Sequence, residues 1–175
     1  MDFKDIANIR QSTRKYDTGR DVEKEKLERI LEAARLAPSA CNAQPYHLTV
    51  CRGDIKDRVA RACMGMGING FAPDAPIVII ISEAAYSATA ALGAKLKGND
   101  YRSIDIGIVA AYITAAATEE GLGSCILGWF DNEKVKSAAG ISSNVRLVIT
   151  LGYPNENDPQ RKKKRKESNE LISYR

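Results

Sequence analysis

Arg10, Ser12 and Arg14 occupy alternate positions of Arg10-Gln-Ser12-Thr-Arg14. In extended backbone, alternate side chains point to one side, so two guanidiniums and a hydroxyl would face a common ligand. That set suits a phosphate, which takes charge-assisted bonds from arginine and a neutral bond from the hydroxyl. Taken alone, such arginines are more often solvated surface. A second group, Pro38-Ser39-Ala-Cys41-Asn42-Ala-Gln44-Pro45, reads as a loop between a helix and a strand. Ser39, Asn42 and Gln44 supply donors and acceptors without charge, suited to a heteroaromatic edge or a polyol, and equally to ordinary turn chemistry.

Three further constellations carry less. Gly65-Met-Gly67-Ile-Asn-Gly70 matches the dinucleotide fingerprint letter for letter, but that site needs a strand before the glycines and a helix after them. Here a helix-like stretch precedes and Phe71-Ala-Pro73 leads into a strand, so nucleotide binding of that kind is not expected. Cys41 and His47 could form a nucleophile and base, yet nothing else in the chain suggests acyl transfer, and His47 is expected to pack beside the strand. The four cysteines are ten or more residues apart and there is one histidine, so free, mostly buried thiols are expected and no metal.

Arg161 to Lys166 is a run of six basic residues. Without them the 26 lysines and arginines fall to 20 against 22 acidic residues, so the formal charge of +4 is local. The run could meet a polyanion or be a solvated tail. With no aromatic residue inside it, a stacking single-strand site is not expected.

The elements that must position these groups are legible in outline. Leu27, Ile30, Leu31 and Ala34 define an amphipathic helix that Asp21 would cap and Pro38 would end. Tyr46 to Arg52 reads as a strand with Leu48 and Val50 on one face, followed by a short helix near Ile55 to Cys63. Ile77-Val-Ile-Ile-Ile81 is apolar throughout, as expected of a central strand buried on both faces. Ile104, Ile108, Tyr112 and Ala115 mark a helix from Arg102 to Glu120, with Gly121 and Gly123 as its stop. Its small residues point to close packing, including against a second subunit. A strand near Ser124 to Leu127, a helix begun by Asp131 or Asn132 and a strand Val145 to Leu151 complete a sheet covered by helices on both sides.

At 175 residues and 44% hydrophobic content, one globular domain is the default expectation, with residues 155–175 as a basic C-terminal arm. No apolar run is long enough to span a membrane and the start, Met-Asp-Phe-Lys-Asp, does not read as a leader, so a cytoplasmic protein is expected.

The two opening segments, in this order, resemble the nitroreductase family of flavoproteins. Its members have a short helix, an Arg-x-Ser-x-Arg/Lys segment, a helix, then Pro-Ser-x-x-Asn-x-Gln-Pro before the first long strand. Glu120-Gly-Leu-Gly-Ser-Cys125-Ile-Leu-Gly-Trp-Phe130, Gly152-Tyr-Pro154 and the basic residues beyond are also similar to family landmarks.

The resemblance implies an α+β fold: a three-layer α/β/α sandwich with a mainly antiparallel sheet covered by helices. It implies FMN in sites shared by a homodimer, NADH or NADPH as electron donor, and a small-molecule acceptor such as a nitroaromatic or a quinone. Residue by residue, Arg10, Ser12 and Arg14 would grip the phosphate and the polar side of the flavin. Asn42 and Gln44 would contact the ribityl chain or ring edge, with Pro38 and Ser39 shaping that wall. Leu127 and Gly128 would present backbone near the reactive nitrogen, and Lys163 and Arg165 would complete the phosphate site. No catalytic acid or base is implied, because the cofactor carries the chemistry. Tyr46 replaces a frequent tryptophan, and the short stretch from Ser82 to Tyr101 implies a more open acceptor site. The competing readings are an FMN-binding protein without turnover and a nucleic-acid-binding protein using the basic tail.

Overall fold

A computed structural model of the chain describes residues 1–65, 67–86, 93, 96 and 98–175. Most of the short stretch between Ser82 and Tyr101, from which the open acceptor site was expected, lies outside the described residues. The elements are α1 (Phe3–Ile9), α2 (Lys24–Arg35), β1 (Tyr46–Cys51), α3 (Gly53–Ala62), β2 (Ile77–Glu83), α4 (Tyr101–Glu119), β3 (Gly123–Leu127), α5 (Asn132–Ala139), β4 (Val145–Gly152) and α6 (Ser168–Leu171).

The sheet order is β1-β2-β4-β3 and every pairing is antiparallel. β2 lies inside the sheet, and side chains alternate across a strand, so its apolar run feeds two cores at once. Ile77, Ile79 and Ile81 pack with Leu27 and Ile30 of α2 and Val109 and Ile113 of α4. Val78 and Ile80 pack on the other side with Val59 and Ala60 of α3 and Val135 of α5. The result is the expected three-layer α+β sandwich.

Three local expectations change. Asp21 does not cap α2. The residue at the cap is Glu23, whose carboxylate binds the Tyr153 hydroxyl at 2.7 Å, while Asp21 accepts from the Val22 N–H and pairs with Arg52. Val22 is buried, so the chain enters the helix two residues later than the capping pattern suggested.

Gly121, with φ of 74°, does end α4, and the Leu122 N–H reaches back to the Ala117 carbonyl at 2.8 Å. Gly123 has another task. A Cβ there would stand 2.4 Å from Thr13 Oγ1, so glycine is what lets the Arg10–Arg14 segment approach β3.

The residues that revealed α4 divide between its faces: Ile104 and Tyr112 are exposed, whereas Ile108 packs against the core and Ala115 is half-buried. Ile106, Val109, Ala110 and Ile113 are buried, whereas Ile104 and Tyr112 are 47% and 40% exposed. With exposed Ala111 they form an outward apolar stripe at helical spacing, flanked by half-buried Ala115 and by Ile108, which packs against the core.

Candidate functional site

The Arg10–Arg14 segment is laid against the sheet rather than hanging from it. The Thr13 N–H donates to the Ser124 carbonyl at 2.9 Å, the Asp17 N–H to the Tyr153 carbonyl at 2.9 Å, and the Asn155 N–H to the Lys15 carbonyl at 3.0 Å. Thr13 and Tyr16 are buried, and the Tyr16 hydroxyl meets Thr150 Oγ1 at 2.8 Å. Burial raises the Tyr16 pKa, so it stays a neutral anchor. With Thr13 turned inward, Ser12 and Arg14 take the alternation's other side: Ser12 is half-buried and Arg14 exposed.

The C-terminal arm is tied across this segment. Asp158, its side chain 4% exposed, accepts from the Arg14 N–H at 3.3 Å and from the Arg161 guanidinium at 2.6 Å. Arg161 also donates to the Ser12 carbonyl, and its backbone N–H donates to Gln11 Oε1 at 3.0 Å. Lys163 donates to the Arg10 carbonyl. Burial, then the charges of Arg10 and Arg165, hold the Lys163 ammonium below the ordinary lysine range, which places the three cations within one another's fields. Burial pushes the Cys125 thiol up, against the pull of Arg14, Arg161 and Arg10, so those guanidiniums gather over the same strand.

Among the described residues, Arg10, Arg14, Lys163 and Arg165 form no ion pair with a carboxylate. Crowded like charges repel, and an anion between them reverses the sign. Asp158, Arg161 and Gln11, which hold this corner together, were not singled out from sequence. The i,i+3 spacing of Asp158 and Arg161 was the one available signal.

The second segment builds a tight loop. Cys41, Asn42 and Gln44 all have positive φ, between 44° and 52°. Ser39 Oγ accepts from the Gln44 N–H at 2.9 Å, and the Gln44 amide donates to Asn42 Oδ1 at 2.8 Å and to its carbonyl at 3.0 Å. Pro38, Asn42 and Gln44 are exposed. The Ala40 N–H donates to Asp105 Oδ1 of α4 at 2.9 Å. Cys41 is exposed, the other three cysteines are buried, and all four thiols are free. His47 is exposed on β1 rather than packed: β1 is an edge strand, and alternation turns Leu48 and Val50 toward the core.

The two segments do not meet within one chain. Ser12 docks at the start of β3, one edge of the sheet, where Ser124 faces Leu151. The Pro38–Pro45 loop enters β1, the opposite edge, where Tyr46 faces Glu83 at the other end of β2. Three strand spacings of about 4.8 Å, roughly 14 Å in total, separate the edges before any offset along the strands. Arg10, Ser12, Arg14, Lys163 and Arg165 therefore share one corner, and Pro38, Ser39, Asn42 and Gln44 the diagonal one. Leu127 is buried at the end of β3 with Gly128 exposed after it, on the first edge.

Gly65–Gly70 follows α3 and leads to β2 by way of a short turn, so the strand–loop–helix order of a dinucleotide site is absent. Asn69 instead ties this turn to the Trp129 carbonyl at 2.9 Å. Among the described residues no cluster of histidine, cysteine, aspartate or glutamate could hold a metal.

An antiparallel sheet between two helical layers, with a cationic corner at one edge, defines a mixed α+β protein. The nitroreductase family model matches residues 8–69 and 64–153, and the chain belongs to that family of oxidoreductases. It is 28% identical over 186 residues to an NADH dehydrogenase of Thermus thermophilus, covering 89% of this chain and 88% of that one. The structure matches a nitroreductase family protein of Clostridium difficile 630 with a TM-score of 0.81 and 27% identity, covering 99% and 98% of the two chains. An FMN-dependent nitroreductase of C. difficile R20291 matches with a TM-score of 0.70 and 27% identity over 95% and 92%.

Proposed function

We propose that the chain is a single domain whose basic arm completes an FMN site, and that it oxidises NADH or NADPH and reduces a small acceptor of the nitroaromatic or quinone type. The observation that carries this is the corner of Arg10, Arg14, Lys163 and Arg165, crowded cations without carboxylate partners among the described residues, which fits a phosphate dianion. The chemistry FMN supplies when bound is hydride exchange between a reduced nicotinamide and the acceptor.

The chain's own residues bind and orient. Arg10, Lys163 and Arg165 hold the phosphate, and Ser12 and Arg14 line the polar flank, where a guanidinium stabilises developing negative charge. Leu127 and Gly128 offer main chain at the ring. Pro38, Ser39, Asn42 and Gln44 of the partner subunit form the facing wall, because one chain keeps its own loop at the opposite corner. The uncovered stripe of α4 supports a homodimer, since an apolar helix face of this length gains by burial.

Purified protein should be yellow or take up added FMN, with absorption near about 450 nm. Anaerobic mixing with NADH and NADPH should bleach that band at a rate compatible with turnover. Colourless protein that refuses FMN defeats the reading, and a flavoprotein that does not bleach is a binder. Among the described residues no helix is long and apolar enough to cross a membrane.

A further inference from the structure

Beneath the Pro38–Pro45 loop lies a buried polar knot to which the flavin reading gives no role. Asp105, in α4, is 1% exposed, as deep as the core isoleucines. A carboxylate at such depth is unfavourable unless its oxygens are bonded. Oδ1 takes the Ala40 N–H at 2.9 Å, but Oδ2 has no hydrogen-bond partner among the described residues. Around it are buried donors in the same condition: the hydroxyls of Tyr46 and Tyr86 and Nε of Arg102. Burial first, and then the charge of Asp105, raise the pKa of both tyrosines, so both lie in its field and keep their protons. Arg102 is turned away to Glu83 at 2.8 Å, with its guanidinium over the Tyr86 ring.

The loop above needs a tether. Three non-glycine residues in the left-handed region within four positions are unfavourable, and such a stretch persists only where its surroundings over-determine it. Within the loop, only polar bonds among Ser39, Ala40, Asn42, Ala43 and Gln44 oppose that strain. Among the described residues, the bond to Asp105 is the one that fixes the loop to a helix, while the Ala84 N–H, donating to the Pro45 carbonyl at 3.1 Å, holds its far end. The knot brackets the segment, with Ala40 at its start and Tyr46, whose N–H donates to the Gln44 carbonyl at 2.8 Å, at its end.

We propose that Asp105 is a positioning residue: its buried carboxylate, with Tyr46 and Tyr86 beside it, locks the Pro38–Pro45 loop in the conformation that presents Asn42 and Gln44 to a flavin. The last clause rests on the flavin reading; the tether does not.

The test uses the full chain with and without added FMN. Asp105→Asn keeps an oxygen for the Ala40 N–H, Asp105→Ala removes it, and Ala40→Pro deletes the donor from the loop side should Asp105→Ala not fold. Amide hydrogen exchange at Ala40, Asn42 and Gln44 should quicken about tenfold in Asp105→Ala and at Asn42 and Gln44 in Ala40→Pro, the scale of one hydrogen bond. Exchange at Ile79 to Ile81 should be unchanged, and Asp105→Asn should stay near wild type. With FMN, Asp105→Ala should weaken binding about tenfold and alter the visible dichroism of the flavin, with recovery in Asp105→Asn.

Unchanged loop exchange in both tether-breaking variants overturns the tether. Exchange quickened equally in β2 would make Asp105 a core support and also overturn it. A loosened loop with unaltered FMN affinity and dichroism overturns the positioning role. If wild-type protein takes no FMN while the loop still loosens, the flavin reading fails and the tether stands.

Discussion

Asp158 and Arg161 form a clasp that closes the C-terminal arm over the Arg10–Arg14 segment: one buried carboxylate binds the Arg161 guanidinium and the Arg14 N–H together. Arg161, one of six adjacent basic residues, is thereby structural, and its fixed position sets where Lys163 and Arg165 fall. Asp158→Asn should loosen the arm. The Arg161 side chain is 43% exposed, so solvent screens the pair and the loss is about 1 kcal/mol, roughly fivefold in FMN affinity. Tryptic cleavage within residues 161–166 should quicken in parallel. An arm as resistant as wild type would show that Asp158 does not hold it.

Arg10→Ala removes a charge-assisted phosphate contact worth about 1.5 to 3 kcal/mol, which is roughly a ten- to 150-fold loss of FMN affinity. Fluorescence titration measures it directly. Unaltered affinity takes Arg10 out of the site.

Gly123→Ala would drive a methyl group to 2.4 Å from Thr13 Oγ1 and 2.8 Å from Thr13 Cβ. Overpacking of this kind costs about 1 to 3 kcal/mol, or roughly 5 °C in Tm for a chain of this size. FMN binding should weaken with it, because the displaced segment carries Ser12 and Arg14. Thr13→Ala in the same chain should restore part of both, and no restoration would place the damage elsewhere.

Lys163 gives a pH signature. Its folded-state pKa lies below the ordinary value of 10.5, through burial and then the Arg10 and Arg165 charges. Between the folded value and 10.5 the unfolded chain binds more protons, so apo stability rises with pH in that window. A bound phosphate favours the ammonium and returns its pKa upward. FMN binding should therefore take up a proton, and affinity should fall as pH rises there. Calorimetry in two buffers of different ionisation enthalpy, on wild type and Lys163→Met, reads this; equal uptake in both would assign the proton to another group.

Ile104→Asp places a charge on the outward face of α4, where Ile104 is 47% exposed, and should shift sedimentation from dimer to monomer. FMN retention should fall with it, if the proposed site draws on both copies. A monomer that still holds FMN tightly contradicts the shared site.

Much of this protein was legible in its chain. The unbroken apolar run of β2 announced a strand buried on both faces, and the spacing in α2 announced its buried face, because such patterns depend on neighbours a few residues apart. The order of Arg10, Ser12, Arg14 and the Pro38–Pro45 loop was enough to suggest the family.

Contacts between distant segments were not legible. Glu23 displaced Asp21 at the head of α2 because Tyr153 and Val22 claimed that corner. Gly123, read as a helix stop, is required by Thr13, a residue far back in the chain. Of the stripe that identified α4, Ile104 and Tyr112 turned out exposed while Ile108 packs against the core, since periodicity defines an apolar stripe without saying which part of it meets the sheet. Local patterning was sufficient to tell which residues form helices and strands and which side chains suit a phosphate. Only the packed chain shows that the two candidate segments stand at diagonal corners, and that Arg161 and Asp158 clasp the arm. Strand order and long-range ion pairs arise from packing between surfaces that no local pattern records.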